Sequence, residues 1–127
     1  MPAQCLSPDD ITLALHLSIP HVYQTEVSGA LDCTYYANGS ADSPEVNVLI
    51  AALPGGTTIA SWEAGTKNAN SSALFVPGVG DAAFFFTTGT LNGLNFISDG
   101  VACNMYTGKS TADQAHLVAL AESILEG

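Results

Sequence analysis

The stretch Val76-Pro77-Gly78-Val79-Gly80-Asp81-Ala82-Ala83-Phe84-Phe85-Phe86 decides how the rest of the chain is interpreted. Two glycines flank one apolar residue, so the backbone can adopt a positive φ twice before it enters an apolar strand. A phosphate-binding glycine loop would lead into a helix, whereas the residues after Asp81 are typical of a strand. We therefore interpret Gly78, Gly80 and Asp81 as a structural turn, in which the carboxylate accepts backbone hydrogen bonds.

The segments before this turn predict a helix and then a hairpin. Ser7-Pro8-Asp9-Asp10 is a typical helix start, and the apolar spacing predicts a helix from about Pro8 to Leu17. Residues 22–30 are polar and contain a glycine, and they are expected to form a connection or an irregular edge. Residues 31–36 alternate between apolar and polar, and residues 46–53 form a β-branched run, so the two segments are expected to pair.

The remaining segments predict a short helix, three strands and a closing helix. Asp99-Gly100 is the strongest signal for a two-residue hairpin turn in the chain. Ser110-Thr111-Ala112-Asp113 is interpreted as a variant capping box that opens the closing helix. The elements are a weak helix at Thr58–Ala64, a polar loop at Lys67–Ser72, strands at Ala82–Thr87, Leu94–Ser98 and from Val101, and the helix up to Gly127.

This order of elements predicts an α+β fold. Strands joined by tight turns form antiparallel sheets, and amphipathic helices bury their apolar sides on such a sheet. We expect an antiparallel sheet of about five strands with two main amphipathic helices on one face, in the order α-β-β-(α)-β-β-β-α. A chain of 127 residues is expected to form a single α+β domain over residues 1–127.

The charge of the chain limits its partners. Lys67 and Lys109 are the only basic residues against twelve acidic ones, which gives a net charge of −10. Such a chain repels phosphate backbones and anionic headgroups, so nucleic-acid and lipid-surface binding are not expected. The chain contains no run of 18 apolar residues, and we expect no membrane span. Met1–Gln4 lacks a basic and apolar leader, and we expect that any signal peptide has been removed or was never there.

Three cysteines leave two pairings open. In an oxidising compartment two of them would pair, whereas in a reducing one all three would be small core residues. We predict a Cys5–Cys33 disulfide, because Cys5 precedes a helix that must pack beside the strand of Cys33. The rival pair, Cys33–Cys103, requires their strands to be neighbours. The spacings do not resemble those of a metal site, and neither a metal nor a cofactor is expected.

The chain combines several short motifs, which are Cys5-Leu6-Ser7-Pro8, Cys33-Thr34-Tyr35, Pro77-Gly78-Val79-Gly80-Asp81-Ala82-Ala83, the Asp-Gly turn and the Leu-Ala-rich last helix. Together they resemble small secreted or lipid-anchored cell-envelope domains of unknown function from actinobacteria. The resemblance covers nearly the whole chain and implies an exported protein without an assigned reaction. Gln4 stands where an acylated cysteine requires a small residue before it, so we expect a disulfide at Cys5 and not a lipid.

Two functions fit these patterns. The first is a non-catalytic module that binds a neutral or apolar ligand or a protein partner, with oligomerisation left open. Its candidate contacts are Tyr35, Trp62, Phe84 and Phe86. The second is a small hydrolase or isomerase with Asp81 or His116 as acid or base. We favour the first, because the titratable residues occupy caps, turns and unhelpful spacings, and we assign no catalytic residue.

Overall fold

The computed structural model describes residues 4–37, 45–108 and 111–126, and these form three helices and seven strands. The predicted α+β class is confirmed, although the sheet has seven strands and not about five. None of the described helices is long and apolar enough to cross a membrane. The helices are α1 (Pro8–Leu15), α2 (Ile59–Ala69) and α3 (Gln114–Glu126). The strands are β1 (His21–Val27), β2 (Ala30–Tyr36), β3 (Val46–Ala52), β4 (Leu74–Phe75), β5 (Ala82–Thr88), β6 (Leu91–Ser98) and β7 (Val101–Gly108).

All strands belong to one antiparallel sheet in the order β1-β2-β3-β7-β6-β5-β4. The chain makes one meander from β1 to β3 and a second one from β4 to β7, and β7 pairs with β3 in the middle. Between the meanders the chain must cross four strand spacings, or about 19 Å. Helix α2 lies in this crossover, and its eleven residues span about 16 Å. The crossover therefore places a helix over the second meander.

The two faces of the sheet are covered differently. Successive strand residues point to opposite faces, and the residues on what we call the core face include Cys33, Tyr35, Phe96 and Met105. Helices α1 and α3 pack on each other over this face and share its apolar core. This is the predicted placement of the two main helices on one face. The opposite face, which we call the α2 face, has a smaller cluster around Phe84 and Phe86.

Helix α1 begins where predicted and ends earlier. The Ser7 side chain accepts a hydrogen bond from the Asp10 N–H at 3.2 Å, as expected of an N-cap. The helix stops at Leu15, and not at Leu17, because His16 takes the left-handed conformation with φ of 56°. Its N–H then bonds the carbonyl of Thr12 at 2.8 Å, which closes the last turn.

Strand β1 lies in the segment predicted to be a connection or an irregular edge, and the second of these alternatives is the one observed. It is an edge strand, and most of its side chains are exposed on both faces, so it lacks the apolar alternation that marks a half-buried strand. A two-residue turn at Ser28 and Gly29, with φ of 52° and 82°, joins it to β2. Strand β4 was missed, because two residues are too few to show a period.

The organising turn holds the start of β5 against the end of β6. Gly78 and Gly80 both have positive φ, at 84° and 55°. The Asp81 N–H donates to the Ile97 carbonyl at 2.8 Å, and the Asp81 carboxylate accepts from the Asp99 N–H at 3.0 Å. The carboxylate thus joins this turn to the β6–β7 hairpin turn, where Asp99 and Gly100 take φ of 51° and 79°.

Helix α3 opens differently from the predicted capping box. The described helix begins at Gln114, and the Asp113 side chain accepts a hydrogen bond from the His116 N–H at 3.0 Å. Asp113 is therefore the N-cap, the residue immediately before the helix. The predicted capping box had instead placed Asp113 within the first turn. Ser110 and Lys109 lie outside the described residues.

The predicted disulfide joins Cys5 to Cys33, with their Cα atoms 5.7 Å apart. It ties the segment before α1 to the core face of β2, and beside it the Tyr35 hydroxyl donates to the Leu6 carbonyl at 2.8 Å. The rival pairing does not form, because β3 separates β2 from β7. Cys103 is a free, fully buried thiol, and burial raises its pKa to about 12. The pKa of Tyr35 is also raised, first by burial and then by the nearby Asp10 and Cys103.

Candidate ligand-binding cavity

A cavity of about 390 Å³ lies between α2 and the α2 face of the sheet. Its size lies near the lower end of the range that small-molecule sites occupy. One wall comes from the helix and the other from strands β5, β6 and β7. The lining residues are Trp62, Gly65, Thr66, Ala69 and Asn70 from the α2 side, and Phe86, Asn95, Asn104 and Tyr106 from the sheet.

The side of α2 that faces the sheet explains why the space remains open. Trp62, Gly65, Thr66 and Ala69 recur at helical spacings of three and four, so they share one side of the helix. Three of these four residues are small, and a Cβ added at Gly65 would meet no atom within 4 Å. All eleven residues of α2 remain exposed or half-buried. Trp62 packs against the cluster of Phe84 and Phe86 on the sheet.

Both ends of α2 are fixed by local hydrogen bonds. At the start, the Thr58 side chain accepts from the Ser61 N–H at 3.0 Å, while the Ser61 hydroxyl accepts from the Thr58 N–H at 2.9 Å. At the end, Lys67 Nζ donates to the Ala73 carbonyl at 2.7 Å and to the Ser71 carbonyl at 3.4 Å. This cation therefore anchors the helix to the chain before β4. The predicted polar loop from Lys67 to Ser72 is in part helix, because α2 continues to Ala69.

Two asparagine side chains form the polar floor of the cavity. Asn95 of β6 and Asn104 of β7 are direct cross-strand partners, and both line the cavity. Neither side-chain amide forms a hydrogen bond with any described residue, and Asn95 Oδ1 is buried without a partner. An unpaired buried acceptor costs about 1–3 kcal/mol, and most such groups in folded proteins have partners. The floor thus presents adjacent hydrogen-bonding groups that the described part of the chain does not use.

Aromatic rings surround this floor at inclined angles. Trp62 lies 5.8 Å from Phe84, with the ring planes at 42°, and Phe86 lies 5.7 Å from Tyr106 at 69°. Phe86 occupies the space over its cross-strand partner Gly93, where an added Cβ would come within 2.2 Å of the Phe86 ring. Because Gly93 has no side chain, the Phe86 ring can lie over it and form one wall of the cavity.

The cavity has the chemistry of a binding site for uncharged molecules. Its lining combines aromatic rings with amide and hydroxyl groups, and each lining residue is uncharged. Amide side chains offer both donors and acceptors, and hydroxyls do the same. Such a lining can orient a polar, neutral ligand, and Tyr106 is the titratable side chain among the lining residues.

A smaller depression of about 260 Å³ continues along the α2 face beyond Tyr106. Tyr106 lines both spaces, so its ring separates them. Asn47 on the far side is already engaged, because its amide donates to Asp32 Oδ1 at 2.8 Å and to Thr34 Oγ1 at 3.2 Å. The unused amides therefore lie on the α2 side of Tyr106.

The four predicted ligand contacts do not form one group. Trp62 and Phe86 line the cavity, and Phe84 lies against Trp62 at its border. Tyr35 lies on the opposite, core face, is 1% exposed, and uses its hydroxyl to bond the segment before α1. The structure therefore brings three of the four residues together.

The two candidate acid or base residues lie away from the cavity lining. Asp81 is exposed and holds the Asp99 N–H in the turn. His116 lies on α3, on the core side of the sheet, where its Nδ1 is 2.7 Å from Asp113 Oδ1. The backbone hydrogen bond from His116, and then its side-chain hydrogen bond, lower the pKa of the exposed Asp113 carboxyl. Among the described residues, no group of three or more His, Cys, Asp or Glu gathers as a metal site requires.

Asn95 and Asn104 were not identified from the sequence, although a signal was present. A two-residue turn at Asp99-Gly100 fixes the register of its hairpin, which makes Asn95 the partner of Asn104. Asparagine is depleted inside strands, so a pair on one face is unusual.

Comparison with known proteins adds no relative from which a function could be transferred. The chain matches no family model, no curated protein and no solved structure.

Proposed function

We propose that this protein is an exported, non-catalytic module that binds a small neutral ligand in the cavity between α2 and the sheet. The single observation behind this proposal is the pair of cross-strand amides on the cavity floor that no described residue engages. A purely structural role does not account for the buried, unpaired Asn95 Oδ1, because an apolar side chain would pack there at lower cost.

Charge supports a neutral ligand over an anionic one. The chain has a net charge of −10, and Lys67 is committed to the carbonyls after α2. Anion-binding sites normally supply a cation or an array of free N–H groups. The lining supplies uncharged groups.

The proposal of export is supported by the Cys5–Cys33 disulfide. Structural disulfides persist in oxidising compartments and are rare in reducing ones. The resemblance to envelope domains points to the same compartment, and we carry it forward as part of the proposal.

The alternative, a small hydrolase or isomerase, has one contact in its favour. The hydrogen bond between His116 Nδ1 and the Asp113 carboxylate, which accepts it, orients the His116 ring, as in many general-base pairs. However, Asp113 also caps α3, and this second role accounts for its position without catalysis. If turnover of ester, phosphate or glycoside substrates were lost in His116→Ala with the fold intact, the non-catalytic proposal would be wrong.

The direct test of ligand binding is to fill the cavity. Gly65→Leu places a side chain in open space on the inner side of α2, and it should not destabilise the helix, because glycine is a poor helix former. Ala64→Leu is the matched control, since Ala64 is an exposed neighbour on the same helix and does not line the cavity.

Ligand-observed NMR with a library of neutral small molecules provides the readout. Molecules that bind the wild type and the Ala64→Leu variant should fail to bind the Gly65→Leu variant. Binding that survives in the Gly65→Leu variant would place the site elsewhere and contradict the proposal.

A further inference from the structure

The hydrogen-bonding groups of the cavity restrict the class of ligand, given the binding function proposed above. Asn95 and Asn104 each offer an acceptor and two donors, and cross-strand partners place their Cβ atoms about 4.5–5.5 Å apart. A hydrocarbon would displace water from both amides without replacing its hydrogen bonds, which costs free energy. A ligand that only accepts hydrogen bonds would leave the amide oxygens unpaired. The complementary ligand carries adjacent groups that both donate and accept.

Hydroxyl groups on neighbouring carbons meet this requirement. Each hydroxyl donates one hydrogen bond and accepts others, so two of them can pair with two amides at once. Asn95 Oδ1 is buried, so a hydroxyl reaches it only when the amide turns toward the cavity. Thr66 adds a hydroxyl on the helix side of the same space, whereas the side-chain oxygen of Asn70 already accepts from Ser72.

The arrangement of the aromatic rings favours a saturated ring over a planar heterocycle. A planar heterocycle binds best between parallel faces, as bases do when they stack on aromatic side chains. The ring pairs here are inclined, at 42° for Trp62 with Phe84 and at 69° for Phe86 with Tyr106. Neither of these contacting pairs forms a parallel slot, whereas the rings of Trp62, Phe86 and Tyr106 that line the cavity can contact C–H groups of a thicker, non-planar ring.

We propose that the cavity binds a neutral saccharide ring, which presents neighbouring hydroxyls to Asn95 and Asn104 and C–H groups to Trp62 and Tyr106. The size of the cavity, about 390 Å³, suits a ligand of one or two rings. Acidic sugars are disfavoured by the same net charge of −10 that disfavours other anions.

The test is calorimetric or NMR titration with a defined panel of probes. The saccharides are glucose, galactose, mannose, N-acetylglucosamine, maltose and cellobiose. Glucuronic acid is the anionic comparison, and indole and uridine are the planar comparisons. We expect saturable binding of at least one neutral saccharide and weaker binding of glucuronic acid.

Variants locate the interaction. Asn95→Ala and Asn104→Ala should each weaken saccharide binding by roughly tenfold, as expected when a hydrogen bond worth about 1.4 kcal/mol is lost. Asn68→Ala is the matched control, because Asn68 is exposed on α2 and does not line the cavity, and its affinity should equal that of the wild type.

The possible results distinguish failure of the saccharide assignment from failure of the proposed neutral-ligand binding function. Saccharide affinity that Asn95→Ala and Asn104→Ala leave unchanged would overturn the saccharide assignment. If only indole or uridine binds, and Gly65→Leu blocks that binding, the saccharide assignment is wrong and the neutral-ligand function still holds. Absence of binding by every probe and by the neutral library would overturn both.

Discussion

Alanine substitution at the two turn glycines should have unequal effects, although the sequence gives them the same role. At Gly78 an added Cβ would meet no atom within 4 Å, so the cost is the positive φ of 84° alone. That strain is about 1–2 kcal/mol for a non-glycine residue. Gly78→Ala should therefore be tolerated with a modest loss of stability.

At Gly80 the same substitution adds a collision with the backbone. The new Cβ would lie 2.5 Å from the Ile97 carbonyl oxygen, in addition to a φ of 55°. A carbonyl of a paired strand cannot rotate away, so β6 or the turn must shift, and such overpacking costs about 1–3 kcal/mol. The shift would also weaken the 2.8 Å hydrogen bond from the Asp81 N–H to the same carbonyl, worth about 1 kcal/mol. Gly80→Ala should lose about 2 kcal/mol more than Gly78→Ala.

Urea unfolding of both variants and the wild type measures this difference directly. The free energy of unfolding is compared at an unchanged m-value, so that a change in the denatured state is recognised. Equal losses at the two positions, within about 0.5 kcal/mol, would contradict the packing of Gly80 against β6.

Three further predictions follow from other contacts. Replacing Cys5 and Cys33 together by Ser should lower the free energy of unfolding by about 3.5 kcal/mol, given a sequence separation of 28; an unchanged urea midpoint would contradict this. Burial raises the pKa of Cys103 from 9.0 to about 12, so between these values the unfolded chain loses a proton that the folded one keeps, and stability should fall as pH rises. In chemical unfolding, the free energy of unfolding of Cys103→Ala should fall less with pH than that of the wild type. The same slope of this free energy against pH in both proteins would contradict the prediction. Gly93→Ala should displace the Phe86 ring and destabilise the protein by about 1–3 kcal/mol; unchanged Phe86 ring resonances in NMR would contradict the contact.

Periodicity in the sequence identified the elements of the sheet that have a buried face. Strands such as β2 and β3 alternate because one face lies on the core. The edge strand β1 shows no such period, because little of it is buried, and only its Ser28-Gly29 turn could have indicated pairing. An amphipathic pattern also does not specify which face of a sheet a helix covers. The position of α2 on the face opposite α1 and α3 therefore had to come from the structure.

The cavity itself was only partly predictable. The aromatic residues Trp62 and Phe86 were identified as candidate contacts, because large aromatic side chains often contact ligands. The register of the Asp99-Gly100 hairpin was sufficient to pair Asn95 with Asn104. Their common space under α2 was not predictable, because it depends on small side chains on the inner side of a helix whose placement the sequence leaves open.

The side-chain amide resonances of Asn95 and Asn104 provide the most direct test of the central claim. In ¹⁵N-labelled protein, saturation with a neutral ligand from the library or the saccharide panel should shift both pairs of amide signals. The amide signals of Asn47, which is bonded to Asp32 and Thr34 beyond Tyr106, should stay in place. If a bound ligand leaves the Asn95 and Asn104 signals unmoved, the cavity under α2 is not the binding site.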